Sequence, residues 1–129
     1  GMFERPIAIY RMAYSYVGEP SAPGIDTPAY FHFAPHVSQT SVYFPIQCTM
    51  SECPKPLSTG TVTAIDRQSA YWAFRILKHT CRGLPWDRCL VEIASRQKAW
   101  EERASRIMEG SAQDERASTC EALHVFATE

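Results

Sequence analysis

Polar and apolar residues change rhythm about halfway along the chain, and the change predicts two kinds of element. Over residues 6–19, Ala8, Tyr10, Met12, Tyr14 and Tyr16 alternate with Ile7, Ile9, Arg11, Ala13, Ser15 and Val17. Successive side chains of a strand point to opposite faces, so this run predicts a long strand that is largely apolar on both. A strand of that kind belongs in the middle of a layered sheet, covered on both sides. The segment Gly18-Glu19-Pro20-Ser21-Ala22-Pro23-Gly24 carries the turn chemistry that ends it. Two further strands are expected over residues 29–34 and 40–46. Pro45 cannot donate a ladder bond, which confines it to a strand end, an edge or a bulge. Residues 48–60, with Pro54 and Pro56, read as an irregular connection, and 61–65 suits a short strand or a loop equally.

After residue 65 the apolar positions fall at helical spacing. Asp66 is placed to accept from the free N–H groups of a first turn. Ala70, Ala73, Phe74, Leu77 and Cys81 then form a stripe, widened by Trp72 and Ile76. Gly83 stops this helix and Pro85 starts the next. In the second helix Trp86, Leu90, Ile93, Gln97, Trp100, Ala104 and Ile107 recur at alternating steps of four and three. Such a seam requires a partner surface along its length. Gly110-Ser111 is a stop signal, and residues 112–127 predict a weaker helix with Ala117, Cys120 and Leu123 on its apolar side.

Composition sharpens this division. Residues 1–65 hold eight of the nine prolines and only seven charged side chains; residues 66–129 hold twenty charges, ten of each sign. Proline excludes long helices from the first half, and mixed charge suits solvated helix faces in the second. Strands followed by helices predict the α+β class: a largely antiparallel sheet within 1–65, packed by two or three helices within 66–127. A chain of 129 residues is of single-domain size, 1–129. Its net charge of −1 leaves no overall basic footprint, which argues against a nucleic-acid partner. No apolar run approaches the roughly 18 residues of a membrane span, so no membrane partner is expected. An odd number of cysteines and no secretory signal suit reduced thiols in the cytoplasm.

The chemistry-bearing residues form no complete constellation. The five cysteines include no C-x-x-C pair, so closely spaced zinc ligands are missing. Cys81 and Cys120 fit small apolar roles, whereas Cys48 and Cys53 are near enough in sequence for a local disulfide if oxidised. His32 and His36 are four residues apart, but Pro35 excludes the helix that would align them, so they read as hydrogen-bonded or surface imidazoles. His79 and His124 lack useful helical neighbours. Glu101-Glu102 and Asp114-Glu115 read as solvated faces. There is no glycine-rich phosphate loop, no G-x-S-x-G and no H-E-x-x-H. Neither a metal nor a cofactor is expected.

One ordered combination is more specific. Thr40-Ser41-Val42-Tyr43-Phe44-Pro45 is followed by a proline-bearing loop and then by Asp66-Arg67-Gln68-Ser69-Ala70-Tyr71-Trp72-Ala73-Phe74-Arg75. With the strand of residues 5–17 before it and a long helix after it, this order resembles the C-terminal region of the dipeptidase/secernin family of N-terminal-nucleophile cysteine peptidases. The resemblance covers roughly residues 4–105. It implies part of a four-layer αββα sandwich and, in a complete enzyme, hydrolysis of dipeptides by an N-terminal cysteine whose α-amine serves as base. The first cysteine here is Cys48, and no position matches the nucleophile motif. The resemblance therefore implies the C-terminal portion of a longer hydrolase, without catalytic residues, whose peptide substrate would be met only beside a missing N-terminal chain. In that setting Thr40, Ser41 and Tyr43 would line the substrate cleft. The alternative is a non-catalytic assembly module reusing the scaffold. A half-sandwich exposes an apolar face and an edge, so a homodimer or higher oligomer is expected, burying the aromatic strand face or the Trp86 to Ile107 seam.

Overall fold

A computed structural model describes residues 8–24 and 28–110 of the chain. Its elements are β1 (Ser15–Glu19), β2 (Tyr30–Ala34), β3 (Phe44–Gln47), the one-turn α1 (Lys55–Ser58), α2 (Ala70–Cys81) and α3 (Trp86–Gly110). The strands form one antiparallel sheet in the order β1-β2-β3. The architecture is α+β, with the helices following the sheet in sequence. The helix expected over 112–127 lies outside the described residues.

Register explains how the sheet divides its faces. Tyr16 opposes Phe33 and Gly18 opposes Phe31, while Phe33 and Phe31 in turn oppose Phe44 and Ile46. One face therefore carries a continuous aromatic row, because directly opposed residues share a face. At the β3 end the row is covered: Phe44 meets the ring of Phe74 on α2 edge-on at 6.3 Å. At the β1 end it is open, with Tyr14 and Tyr16 57% and 59% exposed.

This corrects the expectation for the first strand. Only Ser15–Glu19 is strand, and it is an exposed edge, not a central strand covered on both sides. The centre belongs to β2. Upstream, the backbone turns at Tyr10 and Arg11, where Met12 N–H donates to the Ile9 carbonyl at 2.9 Å. Lys78 of α2 donates to the Tyr10 carbonyl from across the fold. That tie withdraws the Tyr10 carbonyl from any strand ladder. On one face the aromatic side chains are stacked in the open, Tyr16 on Phe31 at 5.0 Å and Tyr14 on Phe33 at 6.1 Å, and on the other Val17 is exposed.

The third strand begins later than expected. Val37 O accepts from both Thr40 and Ser41 N–H at 3.0 Å, which makes residues 37–41 a tight turn; the ladder starts at Phe44. Pro45 sits on the edge strand β3, where a missing donor costs no ladder bond. Residues 61–65 are loop.

The N-cap of the first long helix also lies three residues beyond the expected one. Asp66 Oδ1 accepts from Gln68 N–H at 2.9 Å, a local turn that spends the carboxylate before the helix begins. Ser69 takes the N-cap position and α2 runs from Ala70. Along the α3 seam Ile93 and Ala104 are buried, and Trp86, Leu90, Gln97, Trp100 and Ile107 are half-buried. Its partner surface is largely this chain's own. Val42, Phe44 and Ala104 form the buried centre, with Leu57, Phe74, Trp100 and Ile107 packed around it. The exposed surface of α3 carries i,i+4 pairs, Arg96 to Glu92 at 2.9 Å beside the seam and Lys98 to Glu102 at 3.8 Å away from it. All four groups are exposed, so these pairs keep that surface solvated and add little stability.

Candidate functional site

Between α2, α3 and the segment leading into β3 lies a cleft of about 650 Å³. Thr40, Val42 and Phe44 form one wall, Ala70 and Phe74 of α2 a second, and Ile93 and Trp100 of α3 a third. Lys55, Arg67, Glu92 and Arg96 also border it, all exposed. Arg96 is engaged with Glu92, whereas Lys55 and Arg67 form no ion pair among the described residues. The volume falls within the roughly 300–1,000 Å³ of small-molecule sites, and an apolar body with a few polar groups at the border is their usual chemistry.

The three residues expected to line a substrate cleft do not act together. Thr40 lines the cleft, with its hydroxyl turned to the Val37 carbonyl at 3.5 Å. Ser41 is wholly buried, and its hydroxyl has no partner among the described residues. Its carbonyl accepts from Gln97 Nε2 at 2.7 Å, and the Ser38 carbonyl accepts from the same nitrogen at 3.3 Å. Gln97, the polar member of the α3 seam, thus fastens the turn that carries Thr40. Tyr43 faces the sheet, its hydroxyl 3.0 Å from Ser15 Oγ.

Hydrolysis needs more than a hydroxyl at the wall. A serine or threonine is a weak nucleophile without an adjacent base. Among the described residues the cleft lining includes Thr40 and Ser69 but no histidine or cysteine, and its one carboxylate, Glu92, is paired. Of the described cysteines, Cys48 and Cys53 are exposed free thiols. Cys81 is buried, and burial pushes its thiol up, with the neighbouring Cys89 thiol adding to the effect. A thiol held protonated is inert. His32 Nε2–H donates to Glu19 Oε2 at 2.8 Å, and His36 turns away to the ring edge of Tyr71. Among the described residues no three His, Cys, Asp or Glu side chains converge as metal ligands. No described helix is long and apolar enough to cross a membrane.

Periodicity reading passed over one group. Arg75, Lys78, His79 and Arg82 stand at i, i+3, i+4 and i+7, one stripe of α2. The apolar stripe beside it drew the attention, although the basic spacing was equally visible. Compared with known proteins, the chain matches no family model, no curated protein and no solved structure.

Proposed function

We propose that this chain is a dipeptidase-like homologue that supplies the helix-backed sheet and a peptide cleft, but not the nucleophile. The observation behind this reading is a convergence. Residues 40–45 and 66–75, the two segments that carry the resemblance, border the same cleft: Thr40, Val42 and Phe44 on one side, Ser69, Ala70 and Phe74 on another. The exposed free thiols Cys48 and Cys53 suit the reducing, cytoplasmic setting that belongs to the same proposal.

Two measurements on the purified chain test it. Dipeptides should move the Trp100 indole and Thr40 amide signals in NMR titrations, and no amino acid should be released. Silence at both signals refutes the peptide cleft. Turnover that iodoacetamide abolishes refutes the absence of a nucleophile.

The aromatic sheet face favours a second reading, self-assembly. Tyr14 and Tyr16 are stacked yet open to water, and the row continues through Phe31 and Phe33. The same face of a second copy would bury it as a sheet-on-sheet layer about 10 Å thick, related by a two-fold axis. Light scattering at tens of micromolar should then give a dimer that Tyr16→Lys dissociates. A clean monomer overturns this reading.

A further inference from the structure

On a different stripe of α2 from the cleft lies a second cavity, of about 290 Å³. Arg75, Lys78 and Arg82 line it from the helix, and Arg11 lines it from the turn before β1. These are three guanidinium groups and one ammonium, and among the described residues the lining includes no carboxylate. None of the four is in an ion pair among the described residues. Lys78 is buried, and desolvation together with Arg82 and Arg75 pulls its ammonium down from the ordinary value. Like charges gathered around a sheltered space repel one another unless an anion enters.

A second observation points the same way. His36 is 5% exposed, lines this cavity, and its buried Nδ1 has no hydrogen-bond partner among the described residues. Burial and the charges of Lys78, Arg75 and His79 hold its ring at about 4, so it is neutral at physiological pH. A neutral imidazole with its proton on Nδ1 is a donor, which an anion would satisfy. The cations also retain donors. Arg75 Nη1 is bonded to the Tyr71 hydroxyl at 2.6 Å and Lys78 to the Tyr10 carbonyl, each using one of several N–H groups. Arg11 and Arg82 make no side-chain hydrogen bond among the described residues. The rings of Tyr10 and Tyr71 complete the walls, held by Arg11 at 5.4 Å and Arg75 at 5.8 Å.

We propose that this cavity binds the phosphate of a small phosphomonoester, with His36 Nδ1 donating to it and Arg11, Arg75, Lys78 and Arg82 surrounding it. A phosphomonoester carries roughly −1.5 to −2 charge near pH 7, which answers several cations better than the single charge of a carboxylate. Guanidinium forks match phosphate oxygens in pairs. The space admits a phosphate and about one ring beside the tyrosines. No bond is made or broken there: the site is for binding, and it stands whether or not the cleft on the other stripe takes peptides.

Calorimetry of the whole chain at constant ionic strength, with phenyl phosphate, inorganic phosphate and benzoate, tests this directly. Phenyl phosphate should bind about tenfold or more tighter than benzoate, with inorganic phosphate measurable, and the His36 imidazole nitrogen signals should shift on binding. Arg82→Gln and Arg11→Gln change exposed side chains, so folding is retained; each should weaken phenyl phosphate by about tenfold, the loss of one charge-assisted bond. Three results overturn the assignment: no heat and no His36 shift at millimolar phenyl phosphate, benzoate binding as tightly as phenyl phosphate, or both variants binding like the parent.

Discussion

Gln97 offers the sharpest test of how the two halves of the fold are joined. Replacing it with methionine keeps nearly the same length and removes the amide. The loss falls on two carbonyls, but unequally. Ser38 is half-buried and water can reach its carbonyl, so the 3.3 Å bond is replaceable. Ser41 is wholly buried, so its carbonyl, bonded at 2.7 Å, is left without any partner. An orphaned buried acceptor costs about 1–3 kcal/mol, and the apolar gain of methionine at a half-buried seam position returns only part of that. The expected loss is about 2 kcal/mol, a sizeable share of the roughly 5–15 kcal/mol that holds a domain folded. In urea, with a slope of about 2 kcal/mol per molar, the midpoint should fall by about 1 M. Tryptophan fluorescence and far-UV circular dichroism should report the same transition. Gln97→Glu should be worse near neutral pH, because a carboxylate cannot donate and places its charge against the acceptor, and part of the loss should return once the side chain is protonated. A Gln97→Met midpoint within about 0.2 M of the parent would show that the Ser41 carbonyl finds another donor, and the reasoning would fail.

Other consequences are equally direct. Gly60 has φ +108°, and an added Cβ would lie 2.9 Å from both Ser69 Cβ and Oγ; Gly60→Ala should cost about 2–4 kcal/mol, whereas Gly18→Ala, with open space around it, should change thermal stability little. The Ser41 hydroxyl is buried and unbonded, so Ser41→Ala should leave stability unchanged or raise it by a few tenths of a kcal/mol in chemical denaturation; a loss above about 1 kcal/mol would mean the hydroxyl has a partner. The His36 ring, held at about 4 against about 6.5 in the unfolded chain, binds its proton more readily when unfolded, so its contribution is complete above pH 6.5 and drains away towards pH 4. The difference is on the order of 3 kcal/mol. His36→Gln should flatten the parent's stability profile over that window, with Arg75, Lys78, His79, Arg11 and Arg82 left in place around it; an unchanged slope would refute the shift.

Sequence alone revealed most where a pattern was long and redundant. The α3 seam repeats over more than five turns, so no single substitution can hide it, and every one of its seven positions is withdrawn from solvent. The start of α2 was misplaced because Asp66 could serve either a cap or a local turn, and a hydrogen bond to Gln68 decided between them. The first strand was over-extended because apolar identity does not distinguish a covered side chain from one stacked on its neighbour in water. What breaks it is a tie from Lys78 to the Tyr10 carbonyl, 68 residues away, which no local pattern contains. Thr40 and Ser41 read as strand because they alternate, but both amides return to the Val37 carbonyl. For the candidate sites the picture is similar. The walls of the cleft come from three separate segments, and only their meeting makes a site. The basic cavity was half-legible, in the i, i+3, i+4, i+7 stripe of α2; the other half, His36 and Arg11, comes from segments that approach it only in three dimensions.

The order of pairing in this fold carries a kinetic message. Each strand pairs with its neighbour in sequence, so the sheet can close early. The bonds that join sheet and helices span much longer separations, 56 residues from Ser41 to Gln97 and 68 from Tyr10 to Lys78. Closing such loops costs entropy before any contact repays it, by roughly 0.6 kcal/mol for each doubling of length. These joints are expected to form late in folding. Weakening them should accelerate unfolding while leaving the refolding arm of a chevron almost unmoved, and the lifetime of the folded chain is set by a few side chains at the seam between its halves.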